Sequence, residues 1–308
     1  MFLAACGKIP QIQTGGKKQP SQPAANKRPG KGIVICSTTQ IFDVVEFITG
    51  GNLPIKRILL PGDNPVTHEL TPIDKGNLEQ ADLVLMNGFN LEAEIDGKVD
   101  GLTRAMVVRL AEDDRIRTLG SINEPDPYCW FNPDNFQVYV DRILDGLLLI
   151  KPSRADIFRD RAQAYKSKLN KAFQDMQRTV NQVDGPERIV ITNHDTYAYL
   201  AQTFGIEFIH IQTSDEPGLT PVEKDLLKQT IRRTRSRALF IDTGDRTAME
   251  RTVAAMEAEL RGEGVLNKKL ILGKPLSSFS LGPKGSASGT YIKMMKYNLL
   301  SIVEALKD

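Results

Sequence analysis

Cysteine is scarce in this chain. There are three in 308 residues, Cys6, Cys36 and Cys129, with no CxxC or paired spacing, which excludes a disulfide framework and a zinc knuckle. Aromatic residues make up 6% with a single tryptophan, and histidine occurs only as His68, His194 and His210. No apolar run approaches the roughly 20 residues that cross a bilayer. Acid is absent from residues 1–31, which carry Lys8, Lys17, Lys18, Lys27, Arg28 and Lys31; these six bases leave 34 against 38 acids, so residues 32–308 sum to −4. Phosphate recognition needs a clustered basic face, and an acidic body without one is not a nucleic-acid binder. Catalytic signatures are missing too. Gly285-Ser286-Ala287-Ser288-Gly289 places alanine where a nucleophile elbow needs serine, and there is neither a P-loop nor a GxGxxG after the first strand. His194 and Asp195 are adjacent, and neighbouring side chains diverge, so they make no dyad. The chain is read as a binding protein, not an enzyme.

Hydrophobic residues at 41% and charged residues at 25% are ordinary for a globular protein, and the length suits two domains of about 100–200 residues each. In the first half, Gly32 to Cys36, Lys56 to Leu60, Asp82 to Met86 and Val107 to Ala111 read as strands. Ile41 to Ile48 has helical spacing and stops at Gly50-Gly51. Thr71-Pro72-Ile73-Asp74 is a helix start: threonine caps, proline suits the first turn and the acid returns a bond to the cap. The second half repeats this plan. Arg188 to Thr192, Glu207 to Ile211, Ala238 to Asp242 and Lys269 to Leu272 read as strands, and Asp195 to Phe204 and Thr290 to Lys307 as helices. Thr220-Pro221-Val222-Glu223 is a second capped start. Strands alternating with helices give a parallel sheet covered on both faces.

Between the halves, Phe158, Ala162, Tyr165, Leu169, Ala172, Met176, Val180 and Val183 step by fours and threes, one apolar stripe on a long helix. Ser153 is placed to cap it and Asp184-Gly185-Pro186 to end it. The expected fold class is therefore α/β: two lobes, each with a parallel sheet flanked by helices, joined by one long rigid helix. The expected divisions are 1–31, 32–150, 151–185 for the linking helix, and 186–308.

Residues 7–31 are mostly Lys, Gln, Pro, Gly, Ser and Asn, too polar to repay ordering. They read as a flexible spacer with a reach of roughly 25–30 Å, and their basic charge favours an anionic membrane surface. Before them stands Leu3-Ala4-Ala5-Cys6-Gly7, which resembles the lipobox of bacterial lipoproteins. That resemblance makes Cys6 the lipidated residue, after a truncated signal that lacks the usual charged and apolar regions.

The body resembles the solute-binding proteins of zinc and manganese ABC importers, the cluster A-I metal-binding lipoproteins. Pro61-Gly62-Asp63-Asn64-Pro65-Val66-Thr67-His68-Glu69-Leu70-Thr71-Pro72-Ile73-Asp74 is similar to that family's PGxxPHxYExTPxD loop. Ala81-Asp82-Leu83-Val84 with Asn87-Gly88-Phe89-Asn90-Leu91-Glu92 is similar to ADLxxxNGxxLE. Asp126-Pro127-Tyr128-Cys129-Trp130-Phe131-Asn132-Pro133 is similar to DPHxWxDP, and Thr192-Asn193-His194-Asp195-Thr196-Tyr197 to TxHDAF. Ser280-Leu281-Gly282-Pro283-Lys284-Gly285, followed by Thr290-Tyr291 and Met294-Met295-Lys296-Tyr297-Asn298, is similar to the family's ending. Five such stretches stand in order at family spacing, and the resemblance covers residues 32–308.

The resemblance implies a metal site between the lobes, but its ligands mostly fail to carry over. The first histidine position holds Val66, the second Tyr128 and the terminal aspartate position Phe279; only His194 stands where the family has a ligand. Zinc and manganese need several deprotonated N or O donors at about 2.0–2.2 Å. Valine and phenylalanine offer none. His68, two residues beyond Val66, shares its face in extended chain, so His68, His194 and a carboxylate form one candidate metal site. A loop role for His68 and a satisfied helix-start role for His194 are the structural alternatives. His210, in a strand, reads as structural.

The expectation is an extracytoplasmic, membrane-anchored lipoprotein, monomeric, that serves an importer's permease and ATPase with altered or weakened binding of zinc or manganese. The substitutions leave open a metal-independent module on the same scaffold: a carrier of a non-metal ligand, a cell-surface adhesin, or an accessory to a membrane complex.

Overall fold

The computed structural model describes residues 31–214, 218–242 and 244–307. The β-branched run near its start forms β1 (Val34–Cys36), buried throughout. The Thr38 side chain accepts the Ile41 N–H and caps α1 (Thr39–Thr49), which ends at Gly50 with a left-handed φ of 55°. The left-handed φ favours glycine there, and a Cβ would only displace the flexible end of Arg161. β2 (Ile55–Arg57) leads through the loop 58–71 into α2 (Pro72–Gln80). The sequence-based capping box is present: Thr71 accepts from the Asp74 N–H, and the Asp74 carboxylate accepts from the Thr71 N–H. Then come β3 (Leu83–Met86), α3 (Ala93–Val99), β4 (Met106–Arg109) and α4 (Pro133–Ile150).

The apolar stripe becomes α5 (Ala155–Val180), 26 residues long. Its start differs from expectation. Ser153 lies in a short 3-10 turn over Pro152–Arg154, and Arg154 takes the cap position without a side-chain bond. The proline tightens the chain one turn early and moves the serine out of capping register. The second half follows as β5 (Ile189–Thr192), α6 (Ala198–Phe204), β6 (Glu207–His210), α7 (Pro221–Thr234), β7 (Ala238–Phe240), α8 (Arg246–Gly262), β8 (Ile271–Leu272) and α9 (Tyr291–Lys307). α7 repeats the capping box with Thr220 and Glu223.

The sheets have the same topology, β2-β1-β3-β4 in the N-lobe and β6-β5-β7-β8 in the C-lobe. Every strand pairing is parallel, with Val34 opposite Ile55 and Leu83, and Val190 opposite Phe208 and Ala238. In each sheet the chain order reverses beside the first strand. Parallel sheets bind ligands at the carboxyl ends of strands at that switch point. Here those ends carry Ser37 and Asn87 in one lobe, and His194 and Asp242 in the other.

One core joins the lobes. Phe158, Tyr165, Leu169, Met176 and Val180 of α5 pack in the same buried cluster as Val34 and Leu85 of the first sheet and Val190 and Phe240 of the second. Asp43 of α1 reinforces the joint by accepting from the Tyr165 hydroxyl at 2.9 Å and the Tyr291 N–H at 3.1 Å. One carboxylate thus ties α1, α5 and α9. The fold is the two-lobed α/β arrangement expected from the sequence.

Candidate functional site

Residues 273–290 connect β8 to α9 and reach across to the other lobe. Gln40 donates its side-chain N–H to the Phe279 carbonyl at 3.1 Å, Thr39 Oγ1 accepts the Leu281 N–H at 2.8 Å, and Ser280 Oγ accepts the Gly62 N–H at 2.9 Å. Three bonds on three successive residues fix the backbone at Phe279. Its ring is turned to the other substituted position: Phe279 and Tyr128 centroids stand 6.0 Å apart, and His194 meets Phe279 edge-on at 5.7 Å. Trp130 packs edge-on against Tyr128 at 5.4 Å. Tyr128, Phe279 and His194, which the sequence placed at family ligand positions, are therefore one cluster. Val66 stands apart from it, 55% exposed on the loop before α2, with its N–H on Asn64 Oδ1.

The two candidate imidazoles keep different company. His68 is bracketed by carboxylates of its own lobe, with Nδ1 3.7 Å from Asp63 and Nε2 3.9 Å from Asp74. Both acids have other duties: Asp63 accepts the Leu60 N–H, and Asp74 serves the α2 cap. His194 follows β5, with its N–H on Thr192 Oγ1. Burial lowers its pKa, Asp242 opposes that shift, and His210 adds to it. A neutral imidazole results, the form that ligates a metal. His210 ends β6 beside it and is exposed.

The remaining donors do not complete a cation site. Burial, with Asp126 and Asp195 nearby, pushes the Tyr128 phenol up to about 12. Burial likewise pushes the Cys129 thiol up to about 12; it lies 3.3 Å from the Tyr199 hydroxyl. Neither is an anion at neutral pH, and thiolate is the ligating form of cysteine. Val66 and Phe279 carry no donor. Among the described residues no group of three or more His, Cys, Asp or Glu side chains is arranged to hold a metal ion. The donor set does not fit the four-ligand site that the family resemblance implies. Cys6, the expected lipidation site, lies outside the described residues, and no helix among them is long and apolar enough to cross a membrane.

Sequence reasoning missed the cradle beneath the site: Thr39 and Gln40 under Phe279, and the buried Ser37, Asn87 and Glu92. The run Ser37-Thr38-Thr39-Gln40 directly after an apolar strand was the available signal, because polar residues at a parallel strand's carboxyl end sit where ligands bind.

Comparison with known proteins adds four findings. The family model of zinc-uptake complex component A, periplasmic, matches residues 34–305. The chain is 28% identical over 284 residues to the zinc-binding protein TroA of Treponema pallidum, covering 90% of this chain and 89% of that one. It is 26% identical over 283 residues to the manganese-binding lipoprotein MntA of Bacillus subtilis, covering 89% of each. The solved structure of periplasmic zinc-binding TroA superimposes with a TM-score of 0.76 at 27% identity, over 90% of this chain and 99% of that one.

Proposed function

We propose, from the premise that this chain belongs to the zinc-uptake complex component A family of periplasmic proteins, that it is the extracytoplasmic substrate-binding component of a metal-type ABC importer. The observation that carries this reading is the whole-length match of sequence and fold to TroA. Its partners are then a permease and its ATPase, and the protein works as a monomer held at the membrane through Cys6, a reading supported by relatives whose names call them lipoproteins.

Within that role the cargo site has changed. His194 is the one donor kept at a family ligand position, with His68 held between Asp63 and Asp74 of its own lobe, and a site losing three of four donors binds zinc or manganese far more weakly than an intact one. The mutual packing of the Tyr128, Phe279 and His194 rings supports this, since three positions that hold donors in the family resemblance here hold one imidazole, one phenol and one phenyl ring in contact.

Titration calorimetry and thermal shift with Zn²⁺ and with Mn²⁺ test this, since ligand binding raises stability by mass action. The expected result is a small shift that needs excess metal and that His194→Ala removes. Stoichiometric metal retained through purification would overturn the weakened-site reading. Stimulation of the cognate ATPase in proteoliposomes tests the importer role separately. An organic adduct in native mass spectrometry would instead favour the metal-independent module, for which the ring cluster is the supporting observation.

A further inference from the structure

Glu92 is 1% exposed, and the groups that shift its titration include no cation. A buried carboxylate without a counter-ion is rare and costly. Its compensation is a set of hydrogen bonds. Oε1 accepts from the Ser37 hydroxyl at 2.6 Å and the Asn87 N–H at 2.8 Å, and Oε2 accepts from the Gly88 N–H at 3.2 Å. These donors follow β1 and β3, at the switch point of the N-lobe sheet.

The turn held this way is strained. Gly88, Phe89 and Asn90 have φ of 92°, 53° and 56°; glycine and asparagine tolerate such values, but a bulky residue such as Phe89 adopts them when its surroundings impose them. Asn87 carries the restraint onward. Its side chain accepts from the Tyr139 hydroxyl at 2.6 Å and donates to the Pro127 carbonyl at 2.9 Å. Pro127 precedes Tyr128, and Trp130 lies two residues further.

We propose that Glu92 is the positioning residue of this side of the cleft: its carboxylate holds the left-handed turn 87–90 and, through Asn87, the loop bearing Tyr128 and Trp130, so that proton uptake by Glu92 releases that loop. The charged form accepts three donors. The protonated form is itself a donor at one oxygen, and a backbone N–H of the turn or the Ser37 hydroxyl loses its acceptor. Burial pushes the Glu92 carboxyl up to about 7, against the lowering effect of its three donors. The titratable and charged groups facing it are Asp96 of α3, paired with Arg109 of β4, and the Tyr139 phenol of α4. Glu112 holds the same turn through the Phe89 N–H.

The chain's single tryptophan is the reporter, because Trp130 is buried in contact with Tyr128. Its fluorescence, followed without any cargo from about pH 5 to about pH 9, is expected to show one transition. Glu92→Gln is expected to abolish it. Ser37→Ala removes a donor that favours the charged form and is expected to move the midpoint upward. A wild-type protein with no transition, or a transition unchanged in Glu92→Gln, would overturn the proposal. If far-UV circular dichroism shows the Gln variant unfolded, Ser37→Ala decides, and an unmoved midpoint counts against the proposal. Because no metal is used, the outcome does not depend on the cargo reading.

Discussion

Replacing Leu169 with alanine excavates the middle of α5. Leu169 is 1% exposed and belongs to the cluster that contains residues of both sheets. Removing a fully buried leucine costs about 2–5 kcal/mol, the lost transfer energy plus the cavity left behind. Each kcal/mol moves the melting temperature of a protein this size by about 2–4 °C, so a fall on the order of 10 °C is expected. How the fall occurs is more informative than its size. If α5 fuses the lobes into one cooperative unit, calorimetry shows a single peak before and after substitution, with calorimetric and van't Hoff enthalpies equal. Leu227→Ala provides the comparison. It lies in the separate cluster on the far side of the C-lobe sheet, and it should lower that same single peak. Two peaks, with Leu227→Ala moving only one of them, would refute the idea that the shared core makes the lobes one unit.

Glu92→Gln should also flatten the dependence of stability on pH. The carboxyl titrates at about 7 in the fold against an ordinary 4.5, so its contribution is full below pH 4.5 and is lost as pH rises through 7, by up to about 3 kcal/mol. The variant should therefore melt above wild type at alkaline pH, and an unchanged slope in denaturant titrations across that window would count against this. Val66→His, Tyr128→His and Phe279→Asp combined restore donors at the three substituted positions; zinc affinity measured by calorimetry should rise by on the order of 100-fold or more, and no gain would mean that the backbone no longer presents those positions together. Native protein should leave Cys36 and Cys129 unlabelled by a thiol reagent, because burial raises both thiols and hides them; labelling of either under native conditions, read by peptide mass mapping, would contradict the packing. Tyr291→Phe strands the Trp130 carbonyl that its hydroxyl serves and should cost about 1–3 kcal/mol by urea denaturation, despite leaving the ring stack on Phe136 intact.

Features repeated on one helical face or carried by a local rule were legible in the sequence. The α5 stripe was, because seven residues at threes and fours are all buried. Both Thr-Pro starts became capping boxes, since cap, proline and acid interact within one turn. Gly50 and Gly205 ended helices in left-handed geometry as their sequence context suggests. α4 went unread because its apolar residues run beyond its buried face: Phe136, Tyr139, Val140, Ile143, Gly146 and Leu147 are buried, while Leu144, Leu148 and the exposed Leu149 continue the apolar run past them, which blurs the single stripe that a surface helix shows. The cluster of Tyr128, Phe279 and His194 was anticipated only through family resemblance, because 85 residues separate the last two and no local rule reaches so far. Glu92 appeared in the sequence as one more motif residue. Its burial is a product of tertiary packing, and so is the strain of the turn it holds.

α5 has a mechanical consequence. Its 26 residues extend about 39 Å at 1.5 Å per residue, and both ends are embedded in the packing of their lobes. If the lobes melt as one unit, the molecule is in this respect a caliper locked at one setting. A partner that grips both lobes meets two footholds at a constant spacing, and once the first is engaged the second is held at high local concentration. Recognition of that kind measures a span, and a partner whose own two sites are spaced differently forfeits the second grip.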